Sequence, residues 1–234
     1  MGTDLGNAFL IYNPDVPIFL LNHVACVNVS ENEVKSLLDR VIEYYSSRDI
    51  PNVCFRISPL TYPKSFTSFL EDQGFERKVD QSVMVLKEKK VHNLNPDVII
   101  KEISESEIDE FVELFLTSRE LPIELKEGFC RRFLKMMRRG DKFHLAFVED
   151  KPVGIYLLSS VNRTGGIFCV GTLKEYRRRG IGTTLVSHAI MTSINEGNNL
   201  HTLQAGKGGN AERLYKTLGF EIDHVVSFYL KEFK

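Results

Sequence analysis

Apolar residues change their spacing several times along the chain, and each change marks an element. Val34, Leu37, Leu38, Val41, Ile42 and Tyr45 recur at the three-to-four interval that places them on one helix face. Ser30 and Glu33 stand where a capping box would open that helix. Before it, residues 8–29 read as two apolar strands broken by Asn13, Pro14 and Asp15. After Pro51 a strand is predicted over 52–57, then a proline-marked loop, a short helix ending at Gly74 and a strand over 79–86. The polar, lysine-rich stretch 87–97 contains Pro96 and reads as a linker, with 89–97 as its core.

The second half repeats this alternation at greater length. A strand over 98–103 leads to a second capping box, Ser104 with Glu107, and to a helix carrying Ile108, Phe111, Val112 and Phe115. A helix over 122–139 starts with proline in its first turn and stops before Gly140. Strands over 143–148 and 153–161 form a hairpin around Glu149, Asp150 and Lys151, and Gly165 with Gly166 leads into a strand over 167–172. Leu185, Val186, Ala189 and Ile190 define the next helix. A strand over 198–205, a helix over 210–218 closed by Gly219, and a strand over 225–229 finish the chain. This is an α/β pattern of the α+β type, a mixed central sheet flanked by helices.

Composition narrows the function classes. The 234 residues are 43% hydrophobic and 26% charged, ordinary globular values, and the net charge of -1 gives no overall field for nucleic acid. Cys26, Cys54, Cys130 and Cys169 are far apart, and His144, His188 and His201 lack ligand spacing, so no metal site is expected. Cys169 reads as a small apolar strand residue rather than a nucleophile. No secretion signal or membrane span is visible, and a reduced, cytoplasmic setting is expected. Arg131, Arg132, Lys135, Arg138 and Arg139 recur along one helix, as a solvated face or as a surface for acidic groups.

Chemistry concentrates in residues 170–182, where a strand enters a basic turn closed by Gly180 and Gly182 at a helix start. Unpartnered amides and the positive end of the helix dipole make such a turn attractive to phosphate. Gly180 to Leu185 lacks the third glycine of a dinucleotide fingerprint. Gly206 to Gly209 lacks the marks of a phosphate loop. A faint repeat, Phe69 to Glu76 against Leu214 to Glu221, makes the first half a truncated copy of the second, without the glycine turn and with Leu70 where the other has Tyr215.

Arg177, Gly180 and Gly182 match the Arg/Gln-x-x-Gly-x-Gly/Ala signature, and Leu214, Tyr215, Gly219 and Phe220 the later Leu-Tyr-x-x-x-Gly-Phe motif, of the GNAT superfamily of acetyl-CoA-dependent N-acyltransferases. The second half resembles a complete GNAT domain over 98–234; the first, 1–88, is similar to the degenerate half of two-part members. The resemblance implies transfer of acetyl from acetyl-CoA directly to a primary amine, on a small molecule or a peptide. No metal, nucleic acid or membrane is expected to take part, and a monomer or homodimer is expected. It further implies coenzyme A in a V-shaped opening between the strands over 167–172 and 198–205. Val170, Gly171 and Thr172 would hold the pantetheine arm; Arg177, Arg178, Arg179, Gly180, Ile181, Gly182 and Thr183 would receive the pyrophosphate. Asn210 is placed beside the cofactor and also reads as a helix cap. Tyr215 would protonate the departing thiolate, and a backbone N–H near Val170 would stabilise the thioester oxygen.

Two departures qualify the resemblance. Gly166 stands where some members carry a basic glutamate, leaving Glu120, Glu124, Glu127, or water reached by His201 or Gln204, to accept the amine proton. Gly208 stands where many carry asparagine. The alternative reading is a non-catalytic acyl-CoA-binding or interaction module. The acidic excess over 101–128 suggests a cationic acceptor.

Overall fold

The computed structural model describes residues 2–232 apart from 49, 91 and 93. The chain forms two compact units, one made by residues up to Ser82 together with the stretch from His224 onward, the other by Val83–Asp223.

In the first unit, β1 (Gly2–Asp4) and β2 (Phe9–Ile11) form a hairpin, β2 pairs antiparallel with β3 (His23–Ala25), and β3 meets β4 (Asn52–Ile57) in parallel. Helix α1 (Val34–Ser46) crosses from β3 to β4, its entry fixed by the capping box of Ser30 and Glu33. Val34, Leu37, Leu38, Val41 and Tyr45 are its buried face, as the spacing predicts. Helix α2 (Phe66–Asp72) follows, and the unit's core takes in Phe55, Phe66, Leu70 and Phe75. The strand that completes β4 comes from the far end of the chain. Residues 227–232 of β11 (Phe220–Glu232) pair antiparallel with it, Ser227 opposite Ile57 and Glu232 opposite Asn52.

The second unit takes its first strand residues from the end of β5 (Glu76–Leu86), whose Met84 lies in that unit's core. Next come β6 (Ile99–Glu102), α3 (Ile108–Ser118), α4 (Lys126–Met137), β7 (Lys142–Val148), β8 (Lys151–Val161) and β9 (Thr164–Thr172). Helix α5 (Ile181–Asn195), β10 (Leu200–Gly206) and α6 (Asn210–Thr217) close the series. β6 to β9 form an antiparallel meander, and β10 joins β9 in parallel, which makes the sheet mixed. Glu149 and Asp150 turn the β7–β8 hairpin, and Asn162 and Arg163 the β8–β9 hairpin. All four have positive φ, the hand that matches strand twist. α3 and α4 pack on each other and on β7 through Phe111, Phe115, Phe129, Phe133 and Phe143 at ring separations of 4.8 to 5.6 Å. α5 covers the other face with Leu185, Val186, Ala189 and Ile190.

The predicted linker is a correction. Residues 87–97 belong to the second unit and are fastened to it, with Val91 and Asn93 outside the described residues. Asn95 donates its backbone N–H to Thr184 Oγ1 at 3.0 Å and its Nδ2 to the Arg179 carbonyl at 2.8 Å. His92 Nε2 donates to the Thr217 carbonyl at 2.9 Å. Polar side chains that read as solvated are used here to satisfy helix-end groups. The division of the chain accordingly falls at Ser82/Val83 and Asp223/His224, inside β5 and β11, rather than at 88 and 98.

Candidate active site

The site begins with an irregularity in β9. Ile155 faces Gly171 and Leu157 faces Phe168, so Tyr156 alone opposes Cys169 and Val170; one extra residue makes a β-bulge. Cys169 takes φ of 55° there, a left-handed conformation costly for a residue with a side chain. The bulge coincides with the end of pairing to β10, whose ladder runs from Leu200 opposite Thr164 to Leu203 opposite Ile167 and goes no further. Beyond that point the two strands separate, and a cleft of about 600 Å³ opens.

Beyond β9 the chain enters the glycine turn. Arg178 (φ 65°) and Gly180 (φ 76°) both lie in the left-handed region, and Gly180 caps α5 without a side-chain bond. The first-turn amides of α5 therefore point outward with no partner inside the helix. Gly182 packs closely on α6: a Cβ there would lie 3.1 Å from Leu214 Cδ2. Arg177 lines the cleft yet is anchored, donating from Nε to the Thr172 carbonyl at 3.1 Å and from an Nη to the Ser118 carbonyl at 2.9 Å.

Val170, Gly171, Thr172, Arg177, Arg178, Gly180, Ile181, Gly182, Thr183, Asn210 and Tyr215 all border this one cleft. Arg179 does not; its guanidinium lies over the Tyr176 ring, 5.1 Å from the centroid. Asn210 is the first residue of α6, with Gly209 in the cap position. Tyr215 is 5% exposed, and its hydroxyl has no hydrogen-bond partner among the described residues. Desolvation pushes its pKa up to about 12, with the positive charge of Arg119 pulling the other way.

Arg119 and Ser118 also line the cleft, and sequence reasoning did not single them out. They sit at the C-terminal end of α3, distant in sequence from the glycine turn. Arg119 donates from Nη2 to the Val170 carbonyl at 3.1 Å, and its guanidinium packs 4.3 Å from the Phe115 ring centroid. Although the side chain borders the open cleft, neighbouring protein atoms desolvate the guanidinium and lower its pKa. Glu212 is a second omission. This buried carboxylate accepts the Gly208 N–H at 2.9 Å and a bond from Lys216 at 2.6 Å, holding the loop that leads to Asn210.

The candidate bases fare unevenly. His201 is 8% exposed, bonded to Ser193 at 2.8 Å, and paired with Gly165 at the closed end of the strands, away from the separation. Glu127 lies 3.5 Å from Arg131, and Glu120 4.0 Å from Lys174. At Gly166 a Cβ would meet the Phe168 ring at 2.5 Å, so the absent carboxylate is matched by a ring that takes its place.

Residues 100–220 match the Acetyltransferase (GNAT) family, and the chain belongs to it; it is an acyltransferase of that class. It is 29% identical over 157 residues to an uncharacterized N-acetyltransferase of Methanocaldococcus jannaschii, covering 62% of this chain and 70% of that one. A GCN5-related N-acetyltransferase from Kribbella flavida has the same fold, with TM-score 0.76, 14% identity, and coverage of 99% and 89%. A tandem GNAT protein from the clavulanic acid biosynthesis pathway aligns with TM-score 0.65 and 14% identity over 85% of this chain and 69% of that one. Among the described residues no helix is long and apolar enough to cross a membrane.

Proposed function

We propose that this protein transfers an acetyl group from acetyl-CoA directly to a primary amine. The observation that carries the reading is the separation of β9 and β10 after Ile167 and Leu203, with Tyr215 and the glycine turn on the same cleft. The residues present suit the donor. The backbone of Val170 to Thr172 offers strand-like hydrogen bonds to a pantetheine amide, and the outward amides of Arg178 to Thr183, with the Arg178 side chain, offer donors to a pyrophosphate. Gly182 lets that turn lie against α6.

In the reaction a nitrogen–carbon bond forms, the carbon–sulfur bond breaks, and one amine proton ends on sulfur. Tyr215 holds its proton throughout the physiological range because burial has raised its pKa. It therefore donates a hydrogen bond to the sulfur as charge develops there, and the nearby Arg119 charge favours the same charge development. Tyr215 then gives its proton to the thiolate sulfur and is reprotonated from solvent, which receives the proton lost by the amine, so the net transfer is from nitrogen to sulfur. The first unit is a truncated copy without a donor site: its β3–α1–β4–α2 order repeats β9–α5–β10–α6, and Cys26 after β3 takes φ of 56° as Cys169 takes 55°.

The test is thiol release from acetyl-CoA with a panel of primary amines, alongside calorimetric binding of acetyl-CoA to wild type and Gly182→Val. Thiol release with a matching acetylated product, and loss of binding in the variant, are expected. Absence of thiol release with every amine, or unchanged affinity in Gly182→Val, overturns the reading.

A further inference from the structure

Helix α5 has a second face that the donor cleft does not use. Leu185, Val186, Ala189 and Ile190 point to the core, whereas Thr184, His188 and Met191, with Ser187 beside them, recur at the three-to-four interval on another side. The stretch that reads as a linker lies against that side, and a cavity of about 500 Å³ separates the two. Every residue that lines it belongs to the second unit. Its walls are apolar, from Leu94, Pro96, Val98, Ile100 and Met191. Leu94 is 49% and Met191 39% exposed, apolar surface that an occupant would cover.

The polar part of the lining has one sign. Lys89 and Lys90 border the cavity, and no Asp or Glu does so among the described residues. The Lys89 ammonium contacts the Met191 sulfur, so it stands at the cavity against a thioether, a weak acceptor, instead of a carboxylate. His188 Nδ1 bonds the Tyr156 hydroxyl at 2.8 Å, and its Nε2 has no partner among the described residues. Ser187 adds a hydroxyl. An apolar cavity of this size with a few polar groups is the usual form of a small-molecule site. A carboxylate with an apolar body satisfies the ammonium and covers the walls at once. A neutral body leaves Lys89 on sulfur, and a cationic one meets like charge.

One wall of the cavity is the back of the glycine turn. Asn95 and Thr184 both line it. The Asn95 N–H reaches Thr184 Oγ1, Thr184 Oγ1 donates to the Gly180 carbonyl at 3.2 Å, and Asn95 Nδ2 holds the Arg179 carbonyl. The turn that borders the donor cleft through Arg178 and Gly180 is therefore braced from behind by two cavity residues. An occupant packed on Leu94, Asn95 and Pro96 favours the braced turn, and a pyrophosphate bound to the turn's amides favours the same geometry, so each ligand strengthens the other.

We propose that this cavity is an effector site for a carboxylate with an apolar body, bound through Lys89, Ser187 and His188 Nε2, and that filling it tightens acetyl-CoA binding. The coupling rests on the acetyl-CoA reading of the cleft; the site itself does not.

Octanoate, octanol and octylamine are titrated calorimetrically into wild type, Ser187→Phe, which fills the cavity, and Lys89→Gln. Acetyl-CoA is then titrated with and without saturating octanoate. Wild type should bind octanoate in preference to the other two probes, and Ser187→Phe should abolish that binding. Lys89→Gln should weaken octanoate about 3- to 10-fold and leave octanol unchanged; Lys89 is exposed, so this variant serves even if Ser187→Phe does not fold. Octanoate should tighten acetyl-CoA about fivefold in wild type and not in Ser187→Phe. No octanoate binding, octanol bound equally well, or octanoate binding unchanged in both variants overturns the site. Octanoate bound as expected with acetyl-CoA affinity unchanged or weakened overturns the coupling alone. Octanoate bound by a protein that does not bind acetyl-CoA supports the site and removes the donor reading.

Discussion

Gly171→Ala isolates the contact between the end of α3 and the separated part of β9. The backbone at Gly171 is one that any L-residue adopts, so the substitution carries no conformational penalty and tests space alone. The added Cβ would stand 2.6 Å from Ser118 Oγ, 3.1 Å from Arg119 Nη1 and 3.3 Å from Ile155 Cγ1. Restoring ordinary contact requires the Ser118 hydroxyl and the Arg119 guanidinium to give way by up to roughly 0.8 Å, while α5 holds β9 from its opposite face. Overpacking of this kind costs about 1–3 kcal/mol, which for a chain of this size lowers Tm by roughly 2–12 °C. The larger effect should be on catalysis, because Arg119 reaches the Val170 carbonyl from that helix end. A displacement approaching 1 Å at a reacting site costs on the order of 100-fold in rate. Scanning calorimetry and steady-state kinetics measure the two effects. Adding Ser118→Ala removes the nearest atom and should recover at least half of each loss. A Gly171→Ala protein with wild-type Tm and kcat, or a double variant no better than the single one, would refute the packing argument.

Two further outcomes follow from buried groups. Tyr215→Phe should lower kcat by about 100-fold or more while acetyl-CoA affinity stays within about threefold; with its pKa near 12, wild type should show no loss of rate from Tyr215 ionisation below about pH 10.5, which a kcat–pH profile checks. His144 is 2% exposed, stacked on Tyr156 at 4.2 Å, and held near pKa 3 by desolvation, then by His188 and Lys142. Its unfolded value is 6.5, so the unfolded state takes up the proton first. Stability is complete above about pH 6.5 and falls as pH drops toward 3, by up to about 4 kcal/mol. In His144→Phe the fall in Tm between pH 6.5 and 4 should be shallower, though not absent, because His23 is held near 4 by its own burial. Equal slopes in the two proteins would remove His144 from that role.

Local signals carried most of what the sequence revealed. The capping boxes at Ser30 and Ser104, the glycine turn and the Leu214–Phe220 motif each specify their geometry within a few residues, and each is found where expected. Features built from distant partners were not legible. Arg119 becomes part of the cleft because α3 ends beside Gly171, some fifty residues later in the chain. The bulge carries its left-handed residue on Cys169, a type with no preference for that conformation, so no glycine or asparagine announced it. Asn95 and His92 read as solvated because polarity says that a group needs a partner and does not say whether the partner is water or a helix end. Strand length was underestimated for β11, whose polar residues Glu221, Asp223 and His224 broke the apolar run without breaking the strand.

The pairing of β4 with β11 governs when the sheet of the first unit can be completed during synthesis. Ile57 leaves the ribosome early, yet its antiparallel neighbour Ser227 follows roughly 170 residues later, on the order of ten seconds or more at 5–20 residues per second. Throughout that interval β4 presents an unpaired edge. Until β11 arrives, the exposed edge invites pairing with another nascent chain.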